Sequence, residues 1–486
     1  MLRKSLLISF CLILFNINSE AQLYRTGAMG GLSYSIIDKD NSLTPFNFGN
    51  NPAWIYVDET ETHLLISPSY SSISGDYRRK FDADERIKYF AAFKGVKTLG
   101  TKGTFIGYTD YDYEVRKNYY RTLLYDTYSG EAFFMQDTTT GDFRFNGPKV
   151  NLMYSWEVVP NLYAGISGLY KILDGLKNVY THAKTMYREV GVNAGLAYRF
   201  PENYVLGLNI NYLDCQEKIE AKDVNLLEVE IFNYRGETFA IRRRGSSLEE
   251  TIRKKNLTFS GQFFMQPVET FRFAIQGNYT PSNTRVSFPK SGLIDVEEGF
   301  STLENIDVQI RGQYEFTPSV LIGISGGYLN NKSWSKNSLK NLLLWEWDVK
   351  EIFSGLGVSY KFSDLPLMIG AEYEFANVNA DSSKYIDSRS INLTSKDHLI
   401  RLGMEYEFFE KGFVRGGFNF KMKEFDLITG GKDVNMFAIN LGFEIPVFDV
   451  LSFIPYIVYQ KNYLKDFTNV YRSHLSGFIT IKLNQF

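Results

Sequence analysis

The 486 residues carry 53 Lys+Arg against 55 Asp+Glu, a net charge of -2, so no basic excess directs the chain to nucleic acid. Aromatic residues make up 16% of the chain, with 33 Tyr and 39 Phe, and beyond the N-terminal leader no run reaches the ~20 apolar residues of a spanning helix. A membrane crossing by helices is thereby excluded, and any crossing is made by strands.

At the N-terminus, Arg3 and Lys4 precede the apolar run 6–15, and Ser19 and Ala21 place small residues at the -3 and -1 positions of a signal-peptidase site. Residues 1–21 read as a signal peptide, and the mature chain is expected to begin near Gln22. Cys11 falls inside the leader and leaves Cys215 alone, so the mature chain has no intrachain disulfide.

Residues 22–60 alternate poorly and are rich in Gly, Asn and Ser. Two pieces stand out: Gly27-Ala28-Met29-Gly30-Gly31, and Asn47-Phe48-Gly49-Asn50-Asn51-Pro52-Ala53-Trp54. Together they resemble the N-terminal hatch of the FadL-type outer-membrane transporters, in which a "GMGG" start leads to an "NPA" turn before the first strand. Gly27, Met29, Gly30, Gly31, Asn51, Pro52 and Ala53 are the residues that carry the resemblance. It implies a plug-like segment folded into a barrel lumen from the periplasmic side.

From residue 61 to 486 the chain reads as strands. Between 190 and 200, Val192, Ala194, Leu196, Tyr198 and Phe200 alternate with Gly191, Asn193, Gly195, Ala197 and Arg199, the period of two of a half-apolar strand. After Pro201-Glu202-Asn203 comes the row Tyr204, Leu206, Leu208, Ile210, Tyr212. At ~3.3 Å per residue and ~45° tilt its terminal rings stand roughly 19 Å apart along a membrane normal, the height of an apolar band edged by aromatic girdles.

The unit repeats to give about 18 runs, beginning near 62–72 and ending at 471–486. The expected fold is all-β: one transmembrane antiparallel β-barrel of about 16–18 strands with an N-terminal lumenal plug-like segment. FadL-type barrels have 14 strands, so the count departs from theirs. Short turns such as Pro160-Asn161 and Thr317-Pro318 fall on one rim. Long loops are expected on the other, over 74–83, 116–143, 221–250, 285–301, 331–345 and 381–395. The chain stops at Phe486, an aromatic terminus like that of many outer-membrane barrels.

With apolar rows facing lipid, the opposite faces in the second half carry charge: Asp307, Arg311, Glu315, Glu372, Glu374, Arg401, Glu405, Glu407, Arg415, Lys421, Lys423 and Glu444 are expected to line the lumen. Both signs occur on neighbouring strands, so cross-strand pairs are available. The four His (His63, His182, His398, His474) form no triad or metal pattern, and no enzymatic activity, metal or cofactor is expected.

Expected partners are outer-membrane lipids and lipopolysaccharide, whose phosphates suit Arg242-Arg243-Arg244. An outer-membrane protein partner could use the loop aromatics Tyr125, Phe134 and Phe232. These features support passage of small solutes through a lumen gated by the hatch. The alternative is a non-transporting barrel subunit of a larger outer-membrane transport, secretion or assembly complex.

Overall fold

The computed structural model describes residues 51–55, 62–100, 103–127, 131–223, 225–290, 294–408, 412–427, 429–448 and 450–484. The leader, the Gly27 to Gly31 motif and Phe486 lie outside the described residues.

The chain runs through β1 (His63–Ser74), β2 (Glu85–Thr98), β3 (Thr104–Thr122), β4 (Phe133–Val159), β5 (Leu162–Lys177), β6 (Lys184–Arg199) and β7 (Tyr204–Ala221). A short hairpin follows, β8 (Val229–Arg235) and β9 (Ala240–Gly245). Then come β10 (Leu248–Val268), β11 (Phe271–Lys290), β12 (Ile294–Thr317), β13 (Val320–Asn337), β14 (Leu342–Lys361), β15 (Leu367–Lys384) and β16 (Arg389–Phe408). The last are β17 (Gly412–Phe425), β18 (Lys432–Phe448), β19 (Leu451–Leu464) and β20 (Tyr471–Asn484).

Apart from β8 and β9, the strands form a closed antiparallel barrel of 18. Each pairs with the next, β7 pairs with β10 across the hairpin, and β20 returns to β1 with His63 opposite Asn484. Closure leaves no barrel edge unpaired, which is how strands cross a membrane without exposing backbone polar groups to lipid.

The outer wall follows the alternation. Leu206, Leu208, Ile210 and Tyr212 are exposed at 47, 68, 51 and 41%, while Val205 and Asn209 of the opposite parity fall to 2 and 5%. Leu196, Leu208 and Gly261 lie in one cross-strand row, so a single slip of register would turn the whole apolar face inward.

The long-loop expectation needs correction. Residues 285–301, 331–345 and 381–395 are mostly strand: β11 and β12 pair out to Lys290 and Ile294, β13 and β14 turn over 338–341, and β15 and β16 over 385–388. Charge and hydroxyl content in these stretches resembles that of a loop. Above the lipid, however, an outer sheet face is solvated, and a polar row there costs nothing while the inner row still packs. Trp347, Val349, Val378 and Ala380 form such an inner row, buried against Leu427.

Candidate functional site: a seat in the lumen wall and a cap over the mouth

Two assemblies fill the barrel, one toward each rim. Toward the short-turn rim, Asn51 to Ile55 lie against the inner faces of β4 to β7. Pro52–Trp54 form one 3-10 turn, with Pro at its first position, where a missing N–H is not needed. Asn51 caps it, its Oδ1 accepting from the Ala53 amide at 3.0 Å while Trp54 N donates to the Asn51 carbonyl at 3.1 Å.

The other half of the Asn51 amide addresses the wall. Its Nδ2 stands within donating distance of the Leu196 carbonyl at 3.0 Å, the Leu208 carbonyl at 3.2 Å and Gln262 Oε1 at 3.1 Å. Gln262 in turn donates to Asn209 at 2.6 Å, and Asn209 to Asn193 at 3.1 Å. Ser155 Oγ donates to the Ala53 carbonyl at 2.9 Å.

Room for this turn exists because three strands carry Gly where it touches. A Cβ on Gly165 would come within 2.3 Å of the Ala53 nitrogen, one on Gly195 within 2.0 Å of Asn51 Oδ1, and one on Gly207 within 2.7 Å of the Trp54 ring. Ser155, Gly165, Gly195 and Asn209 occupy successive places in one cross-strand row, so seat and anchors form one contiguous patch of the wall. Ala53, Trp54 and Ile55 are fully buried there, against Val96, Ile106, Tyr163, Val205, Phe264 and Ala274.

At the opposite rim the β8–β9 hairpin folds over the mouth. β8 pairs with the start of β4, Phe133 opposite Arg235 and Gln136 opposite Phe232. Beneath it Leu123, Phe133, Met135, Ile219, Ile231 and Trp345 join one apolar core. Two ion pairs are fully buried in the cap. Arg235 donates to Glu298 through Nε at 3.0 Å and Nη2 at 2.7 Å, with Glu250 at 3.1 Å. Burial works against the Arg235 charge, but the two carboxylates outweigh it and hold its pKa above the usual guanidinium value. Lys177 donates to both oxygens of Asp137 at 2.7 and 2.8 Å. The hairpin tip is clasped from the far wall by Asp387, which accepts from the amides of Glu237 at 2.9 Å and Thr238 at 2.8 Å, while Glu237 pairs with Lys384 and Arg389.

The charged residues read from sequence stand on the inner faces of β12 and β15 to β18, in separate groups of mixed charge. Arg401 reaches Glu372 at 3.2 Å and Glu374 at 3.0 Å; Arg415 reaches Glu405 at 2.6 Å and Glu444 at 2.8 Å. Lys421 pairs with Asp397 at 3.2 Å and Lys423 with Asp426 at 3.5 Å. Asp307 accepts from Asn278 and Gln309, with Arg311 further along the same face. Glu315 and Glu407 stand nearer the short-turn rim.

Of the hatch residues, Asn51, Pro52 and Ala53 sit in the seat, and Gly27, Met29, Gly30 and Gly31 are outside the described residues. One expectation changes. Phe134 and Tyr125 are packed inward, Phe134 on Phe81 and Trp345 and Tyr125 on Phe145, because the rim they occupy has a core of its own. Arg242 and Arg244 both pair with Glu230 while 53 and 59% of their side chains stay exposed, and Arg243 lies over Phe288 at 4.6 Å. Asn209, on the inner face, belongs to the seat's amide chain. The seat itself was overlooked; its signal was three inner-face glycines on consecutive strands.

A closed barrel with an apolar outer belt and polar inner faces is a membrane-spanning β-barrel of outer-membrane type. Over residues 52–333 the chain matches the model of a family of unknown function (DUF6850), and it belongs to that family. No curated protein matches it by sequence. Among solved structures it is similar to the Ralstonia pickettii toluene transporter TbuX (11% identity, 95% of this chain and 97% of that one, TM-score 0.34). It is also similar to a Pseudomonas aeruginosa FadL homologue (10%, 94% and 97%, TM-score 0.37). A third is the ferric-catecholate import receptor Fiu of E. coli K12 (10%, 87% and 82%, TM-score 0.48). At such identities and scores the substrates in those names do not transfer to this chain.

Proposed function

We propose that this chain is an outer-membrane channel for small polar solutes, exported by its first 21 residues and gated by the segment that ends at Asn51 to Ile55. The observation that carries the reading is the seat. A turn built from one cap residue and held by neutral amide hydrogen bonds occupies a notch from which wall side chains have been removed. Such a contact can be released without stranding a charge. FadL-type cargo is hydrophobic, and the ionised inner faces of β12 and β15 to β18 fit polar solutes better.

The test is planar-bilayer conductance of the full chain and of a chain lacking residues 22–57. Deletion should give an inserted barrel with higher conductance, and Glu405→Lys with Glu407→Lys should then shift its reversal potential. A barrel that stays closed after removal of both residues 22–57 and the β8–β9 hairpin sinks the channel.

The second reading, a non-transporting subunit of a larger outer-membrane complex, draws on the clasped cap. Around its tip Phe239, Leu339, Leu342 and Tyr385 are exposed at 39, 58, 43 and 49%, above the level of the lipid belt. Replacing Leu339 and Tyr385 by Asp should strip co-purifying proteins from the native barrel if that surface seats a partner, and should leave conductance unchanged.

A further inference from the structure

The apolar belt of the outer wall ends, on β7 and β10, at the paired residues Tyr212 and Leu257. Four residues further from the short-turn rim on β10 stands Arg253, and its cross-strand row can be followed over six strands. Arg188 of β6 is opposite Gln216 of β7, Gln216 opposite Arg253, Arg253 opposite Arg285 of β11, Arg285 opposite Phe300 of β12, and Phe300 opposite Lys336 of β13. Four of these six outward positions are cationic and none is acidic.

Two neighbours in the row are both arginine. Like charges directly opposite each other destabilise a sheet, and Arg253 and Arg285 are exposed at 47 and 66% of their side chains, so burial does not force the pairing. Local anions offset it only in part. Arg253 donates to both oxygens of Asp214, through Nε at 3.0 Å and through Nη2, whereas Arg285 stands 3.7 Å from Glu297, beyond a hydrogen bond. Arg188 donates to the neutral Gln216 at 3.0 Å. Lys336 lies over the rings of Phe300 and Trp334 at 6.0 and 5.9 Å, an arrangement that holds its ammonium at the surface.

The height of Arg253 identifies what this part of the row meets. Four residues at ~3.3 Å and ~45° tilt put Arg253 about 9 Å above the end of the hydrocarbon belt. That is the depth of lipid headgroups, where phosphate is the anion that suits a guanidinium fork.

We propose that the outer face of β6, β7 and β10 to β13 binds the phosphate groups of the anionic glycolipid of the outer leaflet, with Arg188, Arg253 and Arg285 as its ligands. The site uses the outer-membrane placement proposed above and not the conduit, so a failure of either leaves the other standing.

The experiment incorporates the full chain into phosphatidylcholine nanodiscs and measures retention of bisphosphorylated lipid A against its dephosphorylated form. The intact protein should prefer the phosphorylated form by about tenfold or more. Replacing Arg188, Arg253 and Arg285 together by Gln should abolish the preference, and R242Q with R244Q should keep it. Heat-modifiability shows that each variant is a folded barrel. Absence of a phosphate preference in the intact protein overturns the proposal whatever the variants do. So does a folded triple variant that keeps the preference, or equal retention of phosphatidylglycerol.

Discussion

The seat and the cap fill the two ends of the same barrel by opposite means. In the seat, wall side chains are deleted at Gly165, Gly195 and Gly207 and the incoming turn supplies the bulk, held by uncharged amides and a serine hydroxyl. In the cap, side chains are added: an apolar core spans the mouth, and two ion pairs with no solvent exposure lock it. Undocking the turn exposes Ala53, Trp54, Ile55 and the apolar wall beneath them together with a few amides, but it strands no charge. Breaking the cap leaves a buried charge without its partner. The difference teaches which end moves: the seat is made to release, and the cap to stay.

The largest expected effect is therefore in the cap. Arg235→Met leaves Glu250 and Glu298 facing each other in an apolar core, and removing one partner of a buried pair costs about 3–5 kcal/mol. The hairpin should detach and become protease-sensitive near Gly236, while the lipid-embedded strands remain folded. A hairpin as resistant as in the intact protein would show that the cap is held by its apolar core alone.

Next comes the outer belt. Leu208 is the most exposed residue of its row at 68%, and Leu208→Arg at mid-membrane should cost about 2–4 kcal/mol, read as loss of the heat-modifiable form. Its neighbour Asn209 separates face from function: Asn209→Ala keeps the inner face neutral yet removes the acceptor of Gln262. The barrel should then fold normally while residues 51–55 dock less firmly.

The barrel was legible because its signals are local and repeated. Period-two rows of the kind between Tyr204 and Tyr212 marked both the lipid face and the strand count, and one barrel closes over them. The charged inner faces were legible for the same reason, since parity alone places Glu372, Arg401 and Arg415. What parity could not give was depth. Phe134 and Tyr125 lie in stretches that read as loops; Phe134 is covered where a hairpin more than ninety residues away in sequence folds back over β4, and Tyr125 packs on Phe145 of β4 and Tyr187 of β6. The Gly seat was hidden differently. Glycine in a strand reads as relief of crowding, and only the register shows that Gly165 and Gly195 are neighbours aligned beneath one turn.

In the seat itself the expected effects are of intermediate size. Gly195→Leu places a branched side chain where Asn51 Oδ1 lies, so the turn must leave. The hydrogen bonds lost are worth about 1–3 kcal/mol. Trypsin should then cut at Arg25, and conductance should rise toward that of the chain lacking residues 22–57. Asn51→Leu should reproduce both effects from the other side of the contact, since it removes the cap and the donor to Leu196 and Leu208 together. A docked, silent segment in both variants would assign closure to the cap alone.

The smallest effect on stability, and the finest discrimination, is expected at Lys421. Its ion pair with Asp397 is half-open, 24% of the lysine side chain being exposed, and pairs of that kind contribute about 0–1 kcal/mol. Lys421→Gln should therefore leave unfolding unchanged. It does alter the field of the lumen: Asp397 loses its counter-charge, and the wall beside Glu351 and Glu374 becomes more negative. With the seat emptied by Gly195→Leu, ions that pass this wall should favour cations over anions more strongly than before, measured as a shift in reversal potential under a salt gradient. With the seat filled, the same substitution should be silent, because the closed segment and not the wall then limits the current. A shift that appears with the seat emptied and vanishes with it filled would join the two regions into one gated path. No shift in either state would separate the charged wall from conduction and leave the seat as a structural joint.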